Sequence, residues 1–180
     1  MNKRKHLLII HPSFCIRAKK QVEGLISEST YDISIITDIK KSSSQITNHI
    51  KNNTVIIPFN FHRNIFSRYI YKLKLKKIIK NVAIIHCHNE PNYHVVDTLT
   101  ICAGKIPIIY DIHDFTSMRN GKKYPNEQIA YEKSDMIIHV SKEFINYGNN
   151  LYKEKPCSVI LSTPPKKYIL QNNTSFKNRT

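Results

Sequence analysis

Residues 83–96 read AIIHCHNEPNYHVV, in which a short apolar run leads into a concentration of polar side chains. Almost continuously apolar runs of this length are typical of parallel strands that are covered on both faces. The residues that follow offer three kinds of chemistry: a metal site, a cysteine nucleophile or the rim of a ligand pocket. The side chains concerned are His86, Cys87, His88, Asn89, Glu90 and His94.

Similar apolar, β-branched runs recur along the chain and are separated by segments of helical period. The runs predict strands at 6–11, 33–37, 54–58, 82–87, 106–111, 136–140 and 158–161. The intervening segments predict helices at 16–28, 43–51, 61–80, 93–103, 126–133 and 141–151. This alternation predicts an α/β fold, a doubly wound and mostly parallel sheet of six or seven strands with helices on both faces.

Length and composition limit the class of protein. The chain has 180 residues, enough for one substantial core, and 41% of them are hydrophobic. We expect one domain over 1–161, followed by a polar tail or a truncated interdomain linker over 162–180. The four cysteines lack CxxC spacing, so we expect a reducing, cytoplasmic environment. The only apolar run near the start, 7–10, is too short for a signal peptide and predicts the first strand.

Polar residues collect where the predicted strands end. Ligands of open parallel sheets bind beyond the carboxyl ends of the strands, so the loops there should share one crevice. The sequence therefore predicts a binding site at this edge. Its candidate residues are His11 and Ser13 after the first strand, His88 and Asn89 after the fourth, Asp111, His113 and Asp114 after the fifth, and Ser141 after the sixth.

The alternatives for this site are weaker. On a strand His86 and His88 share one face while Cys87 points the other way, and no second ligand pair lies close in sequence, so we expect no metal. The HxE pattern of zinc deaminases occurs as His88 and Glu90 but lacks its PCxxC partner. We expect Cys87 to be a buried core residue rather than a nucleophile. With only four glycines and no GxGxxG, we expect no standard NAD or ATP site.

The order of four sequence pieces resembles a known family. IIHCHN, a helix, KIPIIYDIHDF, and then YEKSD followed by MIIHVS are similar to the N-terminal half of family-4 glycosyltransferases. The resemblance spans 7–161. Such enzymes have two Rossmann-like domains that face each other across a cleft, the arrangement called GT-B. The resemblance implies that this chain is the Rossmann-like, acceptor-side domain of such an enzyme.

The resemblance also implies roles for matching positions. His113, in YDIHDF, matches a histidine that lies beside the transferred sugar, and we expect it to be catalytic, bonding a hydroxyl or steadying oxocarbenium charge. His88 and Asn89 fall on the acceptor side of the cleft mouth. Asp111 and Asp114 could bind sugar or serve as loop and N-cap residues, and both interpretations stay open.

Two departures from the family pattern affect the expected activity. HPSFC, at 11–15, replaces the glycine pair that many members place near the donor phosphate. We expect the second domain, which in the family holds the nucleotide-sugar, to be absent from the residues after Leu161. The expected partners are therefore a nucleotide-sugar, a glycan or lipid-linked acceptor and a separate donor-domain subunit, with no further cofactor. A non-catalytic scaffold that keeps the fold, or a basic nucleic-acid binder, are the alternatives.

The segment 61–81, from Phe61 to Asn81, is strongly basic and has no acidic residue. It contributes to an excess of 28 Lys and Arg over 13 Asp and Glu, a formal charge of +15. Phe61, Ile65, Tyr69 and Leu73 recur every four residues and predict the face that covers the sheet. The basic face is either simply solvated or lies on anionic lipid, at the inner surface of the membrane. No nucleic-acid recognition motif accompanies it.

Overall fold

Seven apolar segments form the strands of one fully parallel sheet. The structure is a computed structural model that describes residues 4–62, 64–89 and 92–161. Its strands run in the order β3-β2-β1-β4-β5-β6-β7. This confirms the predicted doubly wound α/β fold. The strands are Lys5–Ile10 (β1), Tyr31–Thr37 (β2), Thr54–Pro58 (β3), Ile84–His88 (β4), Ile108–Ile112 (β5), Met136–His139 (β6) and Cys157–Val159 (β7).

The strand order reverses between β1 and β4, which are neighbours in the sheet but not in the chain. Ile10 pairs with Cys87 across this junction, and on the next pair of strands His88 lies beside Asp111. A reversal of this kind leaves a crevice beyond the carboxyl ends of the strands, because the connecting helices leave toward opposite faces. The polar strand ends of the sequence therefore meet at this crevice.

Helices cover the sheet on both faces. Those of the described residues are Ile16–Glu28 (α1), Ile39–Ser42 (α2), Asn48–Asn53 (α3), Ile65–Ile78 (α4), Tyr93–Cys102 (α5), Thr116–Asn120 (α6), Pro125–Lys133 (α7) and Lys142–Leu151 (α8). α6 was not predicted. The predicted tail, 162–180, lies outside the described residues.

The single helix predicted over 43–51 is wrong. Two short helices, α2 and α3, take its place. The Asp38 side chain accepts a hydrogen bond from the backbone N–H of Lys40 at 3.1 Å, and Thr47 accepts one from that of Ile50 at 3.4 Å. Each short helix thus has its own N-cap, which favours two helix starts over one continuous helix.

The continuous apolar pattern of the strands is explained by two cores, one on each face of the sheet. On β1, Leu8 and Ile10 belong to one hydrophobic cluster, while Leu7 and Ile9 belong to the other. Alternate residues of a strand point to opposite faces, so a strand covered on both sides must be apolar throughout. Cys87, fully buried, lies in the first cluster as a core residue.

The apolar face predicted for α4 is wrong. Ile65, Tyr69 and Leu73 are 86%, 59% and 43% exposed, and Phe66 is also mostly exposed. The buried residues of the helix are instead Ser67, Tyr71 and Leu75. Contacts with α5 fix this orientation: the Tyr71 hydroxyl lies 2.6 Å from Thr98 Oγ1, and Arg68 donates two hydrogen bonds to Asp97 at 2.7 and 2.8 Å. Among the described residues, no helix is both long and apolar enough to cross a membrane.

Gly148 offers a direct test of packing between α7 and α8. A Cβ added at Gly148 would come within 2.5–2.8 Å of the buried Tyr131 ring and hydroxyl, whereas one at Gly24 would meet nothing within 4 Å. We expect Gly148→Ala to lower the free energy of unfolding by about 1–3 kcal/mol through overpacking. The matched control, Gly24→Ala inside α1, should raise it by about 0.5–1 kcal/mol. Urea unfolding followed by circular dichroism measures both; equal stability of the two variants would contradict this packing.

Candidate functional site at the carboxyl ends of the strands

A buried carboxylate, Asp111, lies at the centre of the polar region between β1, β4 and β5. Its Oδ1 lies 2.8 Å from Arg17 Nη2, an ion pair whose two side chains are both buried. Its Oδ2 accepts hydrogen bonds from Gln21 Nε2 at 2.8 Å and from His86 Nε2 at 3.2 Å. Arg17 and Gln21 lie one helical turn apart on α1, so both reach the same carboxylate. One acidic group therefore connects α1, β4 and β5.

Asp111 stays ionised in spite of its burial. Burial is the largest single influence on its pKa and raises it, but the hydrogen bond from His86 and the charges of Arg17 and His113 together lower the pKa below its ordinary value. Burial likewise lowers the pKa of Arg17, against the opposing effect of Asp111. The two groups therefore form a charged pair, in which Asp111 opposes the effect of burial on Arg17, while His86 and then Arg17 oppose it on Asp111.

Three imidazoles, those of His11, His88 and His113, gather beside this pair, and His86 adds a fourth ring. The rings of His11 and His88 stack with centroids 4.3 Å apart, and His88 Nδ1 lies 2.9 Å from His113 Nε2, where one nitrogen donates to the other. His86 stacks on the opposite face of His88, at 4.6 Å. Cys15 Sγ lies 3.3 Å from His11 Nε2 and 3.9 Å from His113 Nδ1. Side chains from three remote segments thus form one cluster.

Two of these imidazoles are held neutral. Burial, reinforced by the neighbouring His113 and His94, lowers the pKa of His11 to about 3. Burial also lowers the pKa of His88 well below its ordinary value, with His11 and His86 adding to the effect. At neutral pH both rings are therefore uncharged and keep one nitrogen lone pair available as an acceptor or ligand.

Asn89 fixes the loop that carries His113. Its Oδ1 accepts from the backbone N–H of His113 at 2.9 Å, and its Nδ2 donates to the carbonyl of Asp114 at 2.6 Å. The backbone N–H of Asn89 in turn donates to the carbonyl of Asp111 at 2.9 Å. The end of β4 thus holds the end of β5, and the position of His113 is set by the sheet.

The structure brings most of the predicted site residues together but buries half of them. Four side chains lie beneath the surface: His11, His88, Asn89 and Asp111. His113 keeps 26% of its side chain exposed and Asp114 keeps 38%. These placements favour positioning roles for the buried members. Direct ligand contact by any of them stays a prediction.

Ser13 and Ser141 are placed differently. Ser13 is exposed and lines a cavity of about 630 Å³ at the carboxyl edge of the sheet, together with Asn92, Tyr93 and Tyr124. Three basic residues, Lys41, Arg68 and Arg119, line the same cavity. Ser141 instead caps α8, its Oγ accepting from the backbone N–H of Phe144 at 3.4 Å. The ligand role predicted for Ser141 therefore has a structural alternative.

Sequence reasoning missed Arg17, Gln21 and Cys15. All three lie in or just before α1, which follows the first strand, and a parallel fold directs the start of that helix toward the crevice. The i, i+4 spacing of Arg17 and Gln21 on a helix with an apolar face was the signal in the sequence. This spacing indicates a binding site only where a buried acidic residue lies opposite the two side chains.

Within the part of the chain that the structure describes, two groups of side chains have donor atoms that could hold a metal ion. His11, His88 and His113 form one, and His86, His88 and Asp111 the other, with all donor atoms of a group within 4.8 Å of one another. Glu90, the acid of the HxE pattern, lies outside the described residues. Cys87 belongs to neither group, and burial raises the pKa of its thiol far above the ordinary value, which disfavours the reactive thiolate.

Asp111 and Arg17 provide a test of the buried ion pair. We expect Asp111→Asn to lower the free energy of unfolding by about 3–5 kcal/mol, because it leaves the Arg17 guanidinium buried without a charge partner. The double variant Arg17→Met/Asp111→Asn should recover much of this loss. Glu23→Gln, which removes a surface pair with Lys19 at 4.0 Å, should change stability by less than about 0.5 kcal/mol. Urea unfolding measures all three; a single and a double variant of equal stability would disprove the coupling.

His139, at the end of β6, predicts an acid-sensitive step in stability. Burial lowers its pKa from 6.5 to about 4, and the ring packs against Phe115 and Tyr131. The unfolded chain gains this proton as the pH falls below about 6.5 while the folded chain resists it, so stability declines from pH 6.5 toward 4. We expect His139→Phe to reduce the slope of that decline, to which the lowered pKa values of His11 and His88 also contribute, as measured by urea unfolding across the range. The exposed control His49→Ala should leave the slope unchanged. An unaltered slope in His139→Phe would contradict the assignment.

Comparisons with known proteins show which solved structures have a fold similar to that of this chain. Neither family models nor curated protein sequences gave a match. Among solved structures, the chain is similar to a glycosyltransferase from Rickettsia africae ESF-5, with 13% identity and a TM-score of 0.64 over 99% of this chain and 51% of that one. It is also similar to a UDP-N-acetylglucosamine 2-epimerase candidate from Listeria monocytogenes, with 10% identity and a TM-score of 0.63 over 83% of this chain and 42% of that one.

A third similar structure is a Rossmann-fold NAD(P)-binding family protein from Shigella flexneri, with 10% identity and a TM-score of 0.54 over 76% of this chain and 67% of that one. The chain thus spans about half the length of the Rickettsia protein and less of the Listeria protein. At such identities the similarity shows a shared fold. The chain therefore has the Rossmann-like fold found within glycosyltransferases of the GT-B arrangement and related enzymes, and membership of family 4 stays a prediction.

Proposed function

We propose that this chain is the acceptor-side domain of a glycosyltransferase that works with a nucleotide-sugar-binding half. The observation that carries the proposal is the partly exposed His113, held over buried polar partners at the crevice of a parallel sheet. The fold shared with the Rickettsia glycosyltransferase, and coverage of about half of that protein, support it.

The contacts of His113 suit it to act on a sugar hydroxyl. Its backbone N–H bonds Asn89 and its Nε2 bonds His88, so both the loop and the ring have a fixed orientation. Asp111 Oδ1 lies 3.8 Å from the same Nε2. His113 is therefore placed to take a proton from an attacking hydroxyl with a carboxylate nearby.

The adjacent cavity has the side chains that bind carbohydrate. Ser13 and Asn92 supply hydrogen-bonding groups, and Tyr93 and Tyr124 supply aromatic surface. Lys41, Arg68 and Arg119 also line the cavity, and an acceptor that carries phosphate, as lipid-linked sugars do, would share these cations with their present carboxylate partners. The proposed reaction transfers a glycosyl group from a nucleotide-sugar to a hydroxyl of such an acceptor.

The exposed side of α4 supports a place on the cytoplasmic face of a membrane. Ile65, Phe66, Tyr69 and Leu73 form an exposed apolar row. Lys76, Lys77 and Lys80 continue the same helix and its following turn as exposed cations. An apolar row flanked by lysines is the arrangement that inserts into the interface of anionic lipid. Arg68, on the same helix, lines the proposed acceptor cavity, which would bring a lipid-linked acceptor close to its site.

A glycan array probed with labelled, untagged protein tests the carbohydrate proposal. We expect binding to a subset of glycans, and for the best of them His113→Ala should weaken the affinity by roughly tenfold or more, or about 1.4 kcal/mol. The exposed control His49→Ala should bind as the unaltered protein does. Absence of glycan binding, or equal binding by His113→Ala, would overturn the proposal. Lipid binding without glycan binding would favour a non-catalytic scaffold.

Vesicle flotation tests the membrane surface separately. We expect flotation with vesicles of equal parts phosphatidylcholine and phosphatidylglycerol, and none with phosphatidylcholine alone. Lys76→Gln/Lys77→Gln should weaken binding by roughly thirtyfold, at about 1 kcal/mol per lysine. Phe66→Ser should weaken it as well, whereas Val55→Ser, at an exposed apolar residue of β3, should not. Equal flotation of all variants would exclude α4 as the contact.

A further inference from the structure

The three imidazoles of the cluster come together from separate strand ends. His11 follows β1, His88 ends β4 and His113 follows β5, and one donor atom from each lies within 4.8 Å of the others. A tetrahedral zinc ion with Zn–N bonds of about 2.0–2.1 Å holds its ligand nitrogens roughly 3.4 Å apart. His88 Nδ1 and His113 Nε2, at 2.9 Å, would separate by about 0.5 Å, and a third donor atom that lies within 4.8 Å would move by up to about 1.4 Å.

Buried nitrogens of the cluster also lack partners. Among the described residues, His11 Nδ1 and His88 Nε2 are buried without a hydrogen bond. Each such atom costs about 1–3 kcal/mol relative to a bonded one, so each calls for an explanation. A ligand role for His11 Nδ1 would give that atom a partner, whereas an ion on His88 Nδ1 would leave His88 Nε2 as it is.

The surroundings orient the rings and supply negative charge. Cys15 Sγ lies on the Nδ1 side of His113, which leaves Nε2 for an ion. Asp111 Oδ2 lies 3.7 Å from His88 Nδ1, and Oδ1 lies 3.8 Å from His113 Nε2. The carboxylate therefore faces the two nitrogens that are nearest to each other and would attract a dication there. Its ion pair with Arg17 makes it an outer partner rather than a ligand.

We propose that His11, His88 and His113 bind one divalent transition-metal ion of the zinc class, with the fourth position open to water or to a ligand oxygen. Three histidines with an open fourth position are a set that zinc uses at catalytic centres. The expectation of no metal, drawn from sequence spacing, considered only ligands that are close along the chain. The proposal goes beyond the glycosyltransferase function, and the two uses of His113 exclude each other in one molecule, because a ring bound to an ion through Nε2 cannot accept a proton.

Calorimetric titration of untagged, chelator-treated protein with ZnCl₂ tests the site. We expect one equivalent to bind, and His113→Ala, at the partly exposed ligand, to weaken binding by at least tenfold. The matched control His49→Ala should bind as the unaltered protein does, and Cys15→Ser should keep the one-to-one stoichiometry. Cobalt(II) should give the intense visible absorption of a tetrahedral site in the unaltered protein and lose it in His113→Ala.

Thermal unfolding gives a second readout, because an ion that binds only the folded state raises the unfolding temperature. Zinc should raise it in the unaltered protein and in His49→Ala but not in His113→Ala. Absence of a one-to-one complex, or equal zinc binding and equal thermal shift in His113→Ala, would overturn the proposal. Glycan binding measured with chelator and with zinc separates the two proposals, since glycan binding can fail while zinc binds, and the reverse.

Discussion

The ion pair between Asp111 and Arg17 is the interaction on which the polar half of this fold depends. Removing two charges from water costs several kcal/mol for each, and only close partners compensate that cost. Here the partners come from α1 and β4 while the acid comes from β5, so the pair can form only after the central strands have aligned. It therefore links correct assembly of the sheet with the placement of every histidine around it.

The strands of the sheet were predictable from the sequence because the apolar pattern that identifies them lies within each short segment. Buried parallel strands must be apolar on both faces, and the seven runs show this directly. The face of α4 was not predictable in the same way, since its sequence has two apolar rows. Periodicity selected Ile65, Tyr69 and Leu73, yet the hydrogen bond of Tyr71 and the ion pairs of Arg68 with α5 turn the other row inward. Such contacts join residues 27 or 29 positions apart, which no local pattern contains.

The location of the candidate site was predictable from the sequence, but the burial of its side chains was not. Parallel strands bring their carboxyl ends to one edge, so the clustering of His11, His88 and His113 follows from topology. Whether a strand-end side chain points to solvent depends on what packs above it, and α1 covers Asp111 with Arg17 and Gln21. Because α1 covers this region, some residues predicted to contact a ligand are buried and instead hold their neighbours in place. The imidazoles are packed together for the same reason, and the spacing of the histidines along the chain did not predict this cluster.

The two hydrogen bonds of Asn89 have an evolutionary implication. They join the backbone of His113 and Asp114 to the end of the neighbouring strand β4, so the backbone between β5 and Asp114 has a fixed length and position. An inserted or deleted residue there would shift the imidazole by a whole step of the backbone. We therefore expect changes in loop length to be tolerated only further along the chain, for example between α6 and α7, where the rim of the crevice could change while the positions of His113 and Asp114 stay fixed.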